Sequence, residues 1–373
     1  MPLRNRIIKA ATFEGVTADH VVSDALVEFH RRIARGGVGM TTVAYCAVSP
    51  DGCGTPNEIV MTGAVVPGFR RLAEAVHAEG AAVSAQLGHA GAVAAAVGGR
   101  PLSPSPMFSP LAMRRTRAAT PDDLRRITGD FARAARLVAD GGFDAVEIHL
   151  GHGYLPSEFL SPKLNRRRDA WGGSLENRAR FPRDVVRAVR DAVGGRLAVL
   201  AKLNMADGVR GGLWLDESVA VARLLEADGA LDAIELTGGS SLENPMYLFR
   251  GDAPIHEMAA TMPARRRLPF ALLARRFLPE YPFEEAYFLP YARQFRAAVR
   301  LPLVLLGGVT RRDTIHRAMA EGFEFVAMGR ALLREPDLVA RFEGGAATES
   351  LCVHCNKCVP TIYRGTHCVL AER

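Results

Sequence analysis

Near the middle of the chain, EIHLGHGYLPSEFLSPKLNR (147–166) sets His149, His152 and Tyr154 close together, directly after the apolar run FDAVEI. Two imidazoles and a phenol at the end of one buried strand admit three uses. They are satisfied polar groups of the core, ligands of a metal, or donors and proton carriers around a substrate oxygen. Lysine occurs only at 9, 163, 202 and 357, and Lys202 interrupts the apolar run LAVLAKLN (197–204). A third set is Cys352-x2-Cys355-x2-Cys358-x9-Cys368, which holds four of the six cysteines. That spacing suits an iron–sulfur cluster or zinc better than a disulfide framework, with free or vestigial thiols as the third reading.

The elements that position these residues follow from periodicity. Eight short apolar runs, at 6–10, 39–45, 81–87, 143–150, 197–204, 231–238, 301–308 and 323–330, alternate with helical spacing at 19–35, 67–79, 121–140, 175–193, 216–228, 284–300, 311–320 and 331–342. Thr120-Pro121-Asp122-Asp123 reads as a helix start, with a cap, a proline and acids in the first turn. Strands buried on both faces and separated by helices pair in parallel. Eight such units predict an α/β protein, a closed (β/α)8 TIM barrel. A chain of 373 residues exceeds the usual ~250 of that fold by about a hundred. The surplus falls at 88–119, at 239–283 and in a cysteine-containing C-terminal extension, giving a barrel over 1–343 and an extension over 344–373.

Composition narrows the function. Hydrophobic residues make up 48% and charged residues 23%, as in a soluble enzyme. No run reaches the ~18–20 apolar residues of a membrane span, and MPLRNRIIKA is no secretory signal, so the expected location is cytoplasmic. The net charge of +7 is almost all arginine, spread over RRTR (114–117), RRR (166–168) and ARRR (264–267) among acidic helices. A nucleic-acid binder would gather such charge on one element with aromatics between. The expected partner is a small-molecule substrate, with no nucleic acid or membrane, and the chain is expected to form a homo-oligomer.

In a (β/α)8 barrel the active site lies where strands end. Those ends carry Ala11 and Thr12, Tyr45, Gln86, the His149/His152/Tyr154 set, Lys202, Gly307-Gly308, and Gly329-Arg330. Glycines after strand 7 and a helix start after strand 8 form the usual phosphate site of such barrels, to which Arg330 adds a charged fork. Lys202 can neutralise a negative ring locus, and the Gln86 amide can pair with an imide edge. That inventory suits the flavin of FMN.

The motifs LRNRIIKAAT (3–12), VSPDG (48–52), QLGHAG (86–91), HLGHGYL (149–155), FLSPKLNRRRDAWGGSLENRARF (159–181), GGV (307–309) and MGRALLREPDL (328–338) resemble the Old Yellow Enzyme family. The resemblance implies a barrel that holds FMN, takes electrons from NADH or NADPH and passes hydride to an activated alkene. By the same resemblance His149 and His152 hold the activating oxygen and Tyr154 donates the proton. Ala11, Thr12, Tyr45, Gln86, Lys202, Gly307, Gly308, Gly329 and Arg330 would contact the cofactor. Three positions depart from the pattern: Lys202 replaces a common arginine, Phe13 stands at or beside a potential-tuning Thr or Cys, and Tyr45 replaces a small residue. The tail resembles that of dienoyl-CoA reductases and trimethylamine dehydrogenase, which implies a [4Fe–4S] cluster on Cys352, Cys355, Cys358 and Cys368. Such a cluster would call for an electron-donor subunit. An amine dehydrogenase and a non-catalytic electron-transfer subunit are the competing readings.

Overall fold

The computed structural model describes residues 2–17, 19–95 and 98–371. Eight parallel strands form the core: β1 (Ile7–Lys9), β2 (Met40–Ala47), β3 (Ala82–Gly88), β4 (Ala145–Leu150), β5 (Ala198–Asn204), β6 (Ala233–Thr237), β7 (Leu303–Leu306) and β8 (Phe325–Met328). Each pairs with its neighbours in chain order, and β1 pairs with both β2 and β8, so the sheet closes on itself. This is the expected (β/α)8 barrel, and all eight apolar runs became its strands. Ile8, Met40, Leu200 and Val304 fill the barrel below the site, interleaved with Ala10, Ala145, Ala233 and Ala327. Large and small side chains alternate there because a closed barrel has room for only a few bulky residues in each layer.

The surrounding helices begin where their caps predict. Thr120 and Asp123 make a reciprocal capping box at the start of Pro121–Asp140, and the Ser174 side chain caps Leu175–Val193. Three expected boundaries moved. The helix expected at 284–300 is Leu289–Ala298. The first helix is Asp24–Arg35 rather than 19–35, because Ser23 caps it. The run 331–342 divides into Arg330–Arg334 and Leu338–Glu343, since Pro336 cannot continue the first piece.

Within 88–119 the chain forms two small two-stranded sheets, and 239–283 carries helices Ile255–Ala260 and Ala264–Phe277. Residues of the C-terminal extension return to the barrel mouth. The Thr366 N–H donates to the Glu14 carbonyl at 2.7 Å, and His354 stacks on Phe283 with ring centroids 3.3 Å apart. Among the described residues no helix is long and apolar enough to cross a membrane.

β2 carries a register shift between Val43 and Cys46. A buried ion pair, Lys9–Glu14 at 2.7 Å, supplies what the interrupted ladder lacks. Glu14 accepts from the Ala44 N–H at 3.0 Å, and Lys9 donates to the Thr42 carbonyl at 3.3 Å. Unpaired backbone groups at that depth would each cost about 1–3 kcal/mol.

Candidate active site

His149 closes β4, and the turn after it places His152 and Tyr154 beside it. The His149 ring lies 4.9 Å from that of His152, edge to face, and 4.6 Å from Tyr154. His152 adopts a positive φ of 58°, a conformation held from two sides. Its N–H donates to Asn204 Oδ1 at 3.0 Å, and its carbonyl accepts from the Ser241 N–H at 2.8 Å.

A backbone hydrogen bond assigns the His149 proton, and a threonine hydroxyl faces His152. His149 Nδ1 accepts from the Gly151 N–H at 3.2 Å, which leaves the proton of the neutral ring on Nε2. His152 Nε2 lies 2.8 Å from Thr237 Oγ1. With the threonine hydroxyl donating, the free donor of His152 is Nδ1–H. Burial, then His152 and Lys202, hold His149 well below the ordinary imidazole range. Burial and then Lys202 lower His152 to about 3. Both rings are neutral donors at pH 7. Burial, with Glu58 adding to it, pushes the Tyr154 phenol up, so it keeps its proton until a stronger base forms beside it.

Tyr45 stacks on Tyr154 with centroids 5.1 Å apart, and its hydroxyl donates to the Gly52 carbonyl at 3.3 Å. It therefore seats the Tyr154 ring rather than offering its hydroxyl to the pocket. Gly88 makes this possible, because a Cβ there would stand 2.4 Å from the Tyr45 ring.

Below this set lies a buried charged floor. Lys202 Nζ is 3.0 Å from Glu147 Oε1 and 2.6 Å from Glu235 Oε1, and Gln86 Nε2 donates to Glu147 Oε1 at 2.6 Å. All three charged side chains are within 2% of complete burial. The Glu235 contact is an ion pair without hydrogen-bond alignment, and its Oε1 has no directed partner. Burial, opposed by Lys202 and reinforced by Glu147, raises Glu235 to about 7. The sequence reading singled out Lys202 and Gln86 but missed both carboxylates. Their signal was present: Glu147 precedes His149 by two residues, and Glu235 interrupts AIELT (233–237), the same inward-facing parity as Lys202.

On the opposite side, Thr12 and Gly329 meet across β1 and β8, a Cβ on Gly329 falling 3.3 Å from Thr12 Cγ2. Among the described residues the buried Thr12 hydroxyl has no hydrogen-bond partner. Gly307 and Gly308 have φ of 113° and 73°, and Phe288 and Tyr287 occupy the space their Cβ atoms would take. Only glycine fits both the backbone and the packing there. Arg330 Nη1 donates to the Arg250 carbonyl at 2.9 Å and to Asn356 Oδ1 in the extension. Arg250 was missed. Its guanidinium lies over Tyr247, Tyr281, Tyr287 and Phe288, 4.9 to 5.9 Å from their centroids, and its Nε has no partner.

The four tail cysteines are free thiols around one small cavity shared with Arg330, Arg334 and Asn356. Among the described residues no three His, Cys, Asp or Glu side chains are arranged to hold a metal ion.

Unclaimed groups thus gather at the barrel mouth: the Thr12 hydroxyl, the Gln86 carbonyl oxygen, the two His N–H groups, the glycine backbone after β7 and the Arg250 Nε. This donor and acceptor set fits a flavin mononucleotide. Residues 1–236 match the NADH:flavin oxidoreductase / NADH oxidase family. A 4,4'-dithiodibutanoate disulfide reductase of Rhodococcus erythropolis is 55% identical over 100% of this chain and 93% of its own length. The chain belongs to this family, that of Old Yellow Enzyme. A multifunctional alkene reductase/demethylase of Caballeronia cordobensis is 30% identical over 95% of this chain and 49% of its own length. The structure of a 2-naphthoyl-CoA reductase complex matches 98% of this chain and 54% of that one, with a TM-score of 0.83 at 25% identity. The chain therefore spans about half the length of some relatives and nearly all of others. As a family member it is an FMN-dependent NAD(P)H oxidoreductase.

Proposed function

We propose that the enzyme reduces a small organic acceptor held at His149, His152 and Tyr154, and that the acceptor is an activated alkene. The convergence of two neutral imidazole donors and one protonated phenol at the end of β4 carries this reading. Bound FMN supplies the hydride, taken from NADH or NADPH. His149 Nε2–H and His152 Nδ1–H donate to the acceptor's carbonyl or nitro oxygen and stabilise the charge that develops on it. Removing one such donor typically costs ~10²–10³ in rate. Tyr154 delivers the proton to the carbon beside that group. Lys202 and Gln86 would hold the pyrimidine portion of the flavin, Gln86 through its amide oxygen and its second N–H, because one amide N–H is committed to Glu147.

A second acceptor, a small organic disulfide, is favoured by the full-length similarity to the 4,4'-dithiodibutanoate disulfide reductase. Hydride would then add to one sulfur, and Tyr154 would protonate the departing thiolate. Anaerobic stopped-flow separates the two readings. Flavin reduced with NADH or NADPH is mixed with enones, nitroalkenes, dienoyl thioesters or 4,4'-dithiodibutanoate, and reoxidation is followed. Fast reoxidation by the disulfide alone would discard the alkene reading.

For the extension we propose that Cys352, Cys355, Cys358 and Cys368 hold a [4Fe–4S] cluster, supported by the spacing and by the single cavity they share. An electron-donor subunit would then dock at the extension. Iron-free protein from an anaerobic preparation would remove both proposals.

A further inference from the structure

The floor below the catalytic set holds one cation and two carboxylates in full burial. Lys202 stands between Glu147 and Glu235, and Gln86 adds only a neutral donor to Glu147. The elements around Glu235 offer no second cation. β5 contributes Lys202, β4 contributes Glu147, and β7 presents apolar Val304 in register with Glu235. Glu235 is also the carboxylate without a directed hydrogen bond to Lys202. With both carboxylates ionised the floor carries a net charge of −1, and like charges brought close at this depth drive one of them to protonate.

Resting on the assignment of FMN to this barrel mouth, we propose that Glu235 takes up a proton from solvent when the bound flavin is reduced, keeping the floor's charge balanced against the new anion above it. The balance is explicit. Hydride brings two electrons and one proton to the flavin and leaves one negative charge on its pyrimidine side. The Glu235 carboxylate gains a second proton and becomes a neutral acid, so two protons enter for two electrons. Lys202 keeps its charge throughout, and Lys202 and Gln86 both donate to Glu147. Glu235 touches no substrate and acts through Lys202 as a positioning residue. Its raised affinity for protons in the flavin-free protein agrees with the role, and it places the useful test on the alkaline side of neutrality.

The experiment measures protons taken up per two electrons at about pH 8.5, during anaerobic photoreduction of the holoenzyme in weak buffer with an indicator dye. The wild type is expected to take up two, and Glu235→Gln one, with the same difference in the pH slope of the flavin midpoint potential. One proton in the wild type, or two in both proteins, overturns the proposal. Should the variant lose its flavin, reduced-minus-oxidised infrared difference spectra of the wild type decide instead. A protonated carboxylic acid band that appears on reduction and shifts in D2O supports the proposal, and its absence overturns it. Wild-type protein that binds no FMN would instead sink the cofactor reading on which the proposal rests.

Discussion

At the scale of single residues, the proposed reaction separates donors that hold from a donor that gives. His149 and His152 are neutral, the first fixed in tautomer by Gly151 and the second paired with Thr237, whereas in the proposed reaction Tyr154 would give its proton to a developing carbanion or thiolate. Replacing Tyr154 by Phe is expected to slow reoxidation by the acceptor about 10²-fold or more. Flavin reduction by NAD(P)H should be unchanged, and stopped-flow of the two half-reactions checks both. Thr237→Val removes the hydroxyl that sets the His152 tautomer. It should lower the rate of acceptor reduction about tenfold and leave the affinity for FMN intact. If rate and affinity fall together, Thr237 belongs to the cofactor site and not to His152.

Among the elements, β2 is the one that cannot stand alone. Its register shift leaves backbone groups that Lys9 and Glu14 satisfy, so Lys9→Met strands a buried carboxylate and is expected to cost about 3–5 kcal/mol. Denaturant unfolding of the holoenzyme would show the loss, and the double variant Lys9→Met/Glu14→Leu should recover part of it. The barrel itself was readable from period and burial, since strands buried on both faces leave unbroken apolar runs. The His149/His152/Tyr154 set was readable too, because it lies in six consecutive residues. What stayed hidden was pairing across strands. Nothing local shows that Lys202 meets Glu147 and Glu235, that Arg330 turns toward Asn356, or that Tyr45 stacks on Tyr154. Each of these depends on barrel register and on where a distant loop returns. Segment 239–283 hid its helices for another reason. Ala264–Phe277 leaves Leu268, Leu272 and Leu273 exposed among arginines, and so lacks the apolar stripe that announces a packed helix.

For the whole molecule, stability should follow both cofactor and pH. FMN at about 100 times its dissociation constant is expected to add about 2.7 kcal/mol, read as a rise in melting temperature. On the acid side the buried imidazoles His30, His149 and His152 act against stability, opposed by buried carboxyls such as Glu58 and Glu235 that burial raises to about 7. Unfolded histidine binds a proton near 6.5, while native His152 does so only at about 3 and native His149 also well below 6.5. Between these values the unfolded state binds more protons at these two sites, so their contribution to stability is full above about pH 6.5 and falls as the pH drops toward 3. A variant with His149→Asn and His152→Asn should lose much of that acid slope in pH-dependent unfolding.

Glu14 joins three parts of the molecule that are far apart in the chain. Its carboxylate holds Lys9 and the Ala44 N–H, and its carbonyl holds Thr366 of the extension. Tyr45 follows Ala44 directly and forms the seat of the Tyr154 ring. In mechanical terms the extension is the long arm of a lever, Glu14 its fulcrum, and the proposed proton donor rides on the short arm. Ending the chain after Tyr363 should therefore slow proton delivery about tenfold, with hydride entry from NAD(P)H unaltered. The tail would then govern the aim of the phenol whether or not its cysteines carry metal.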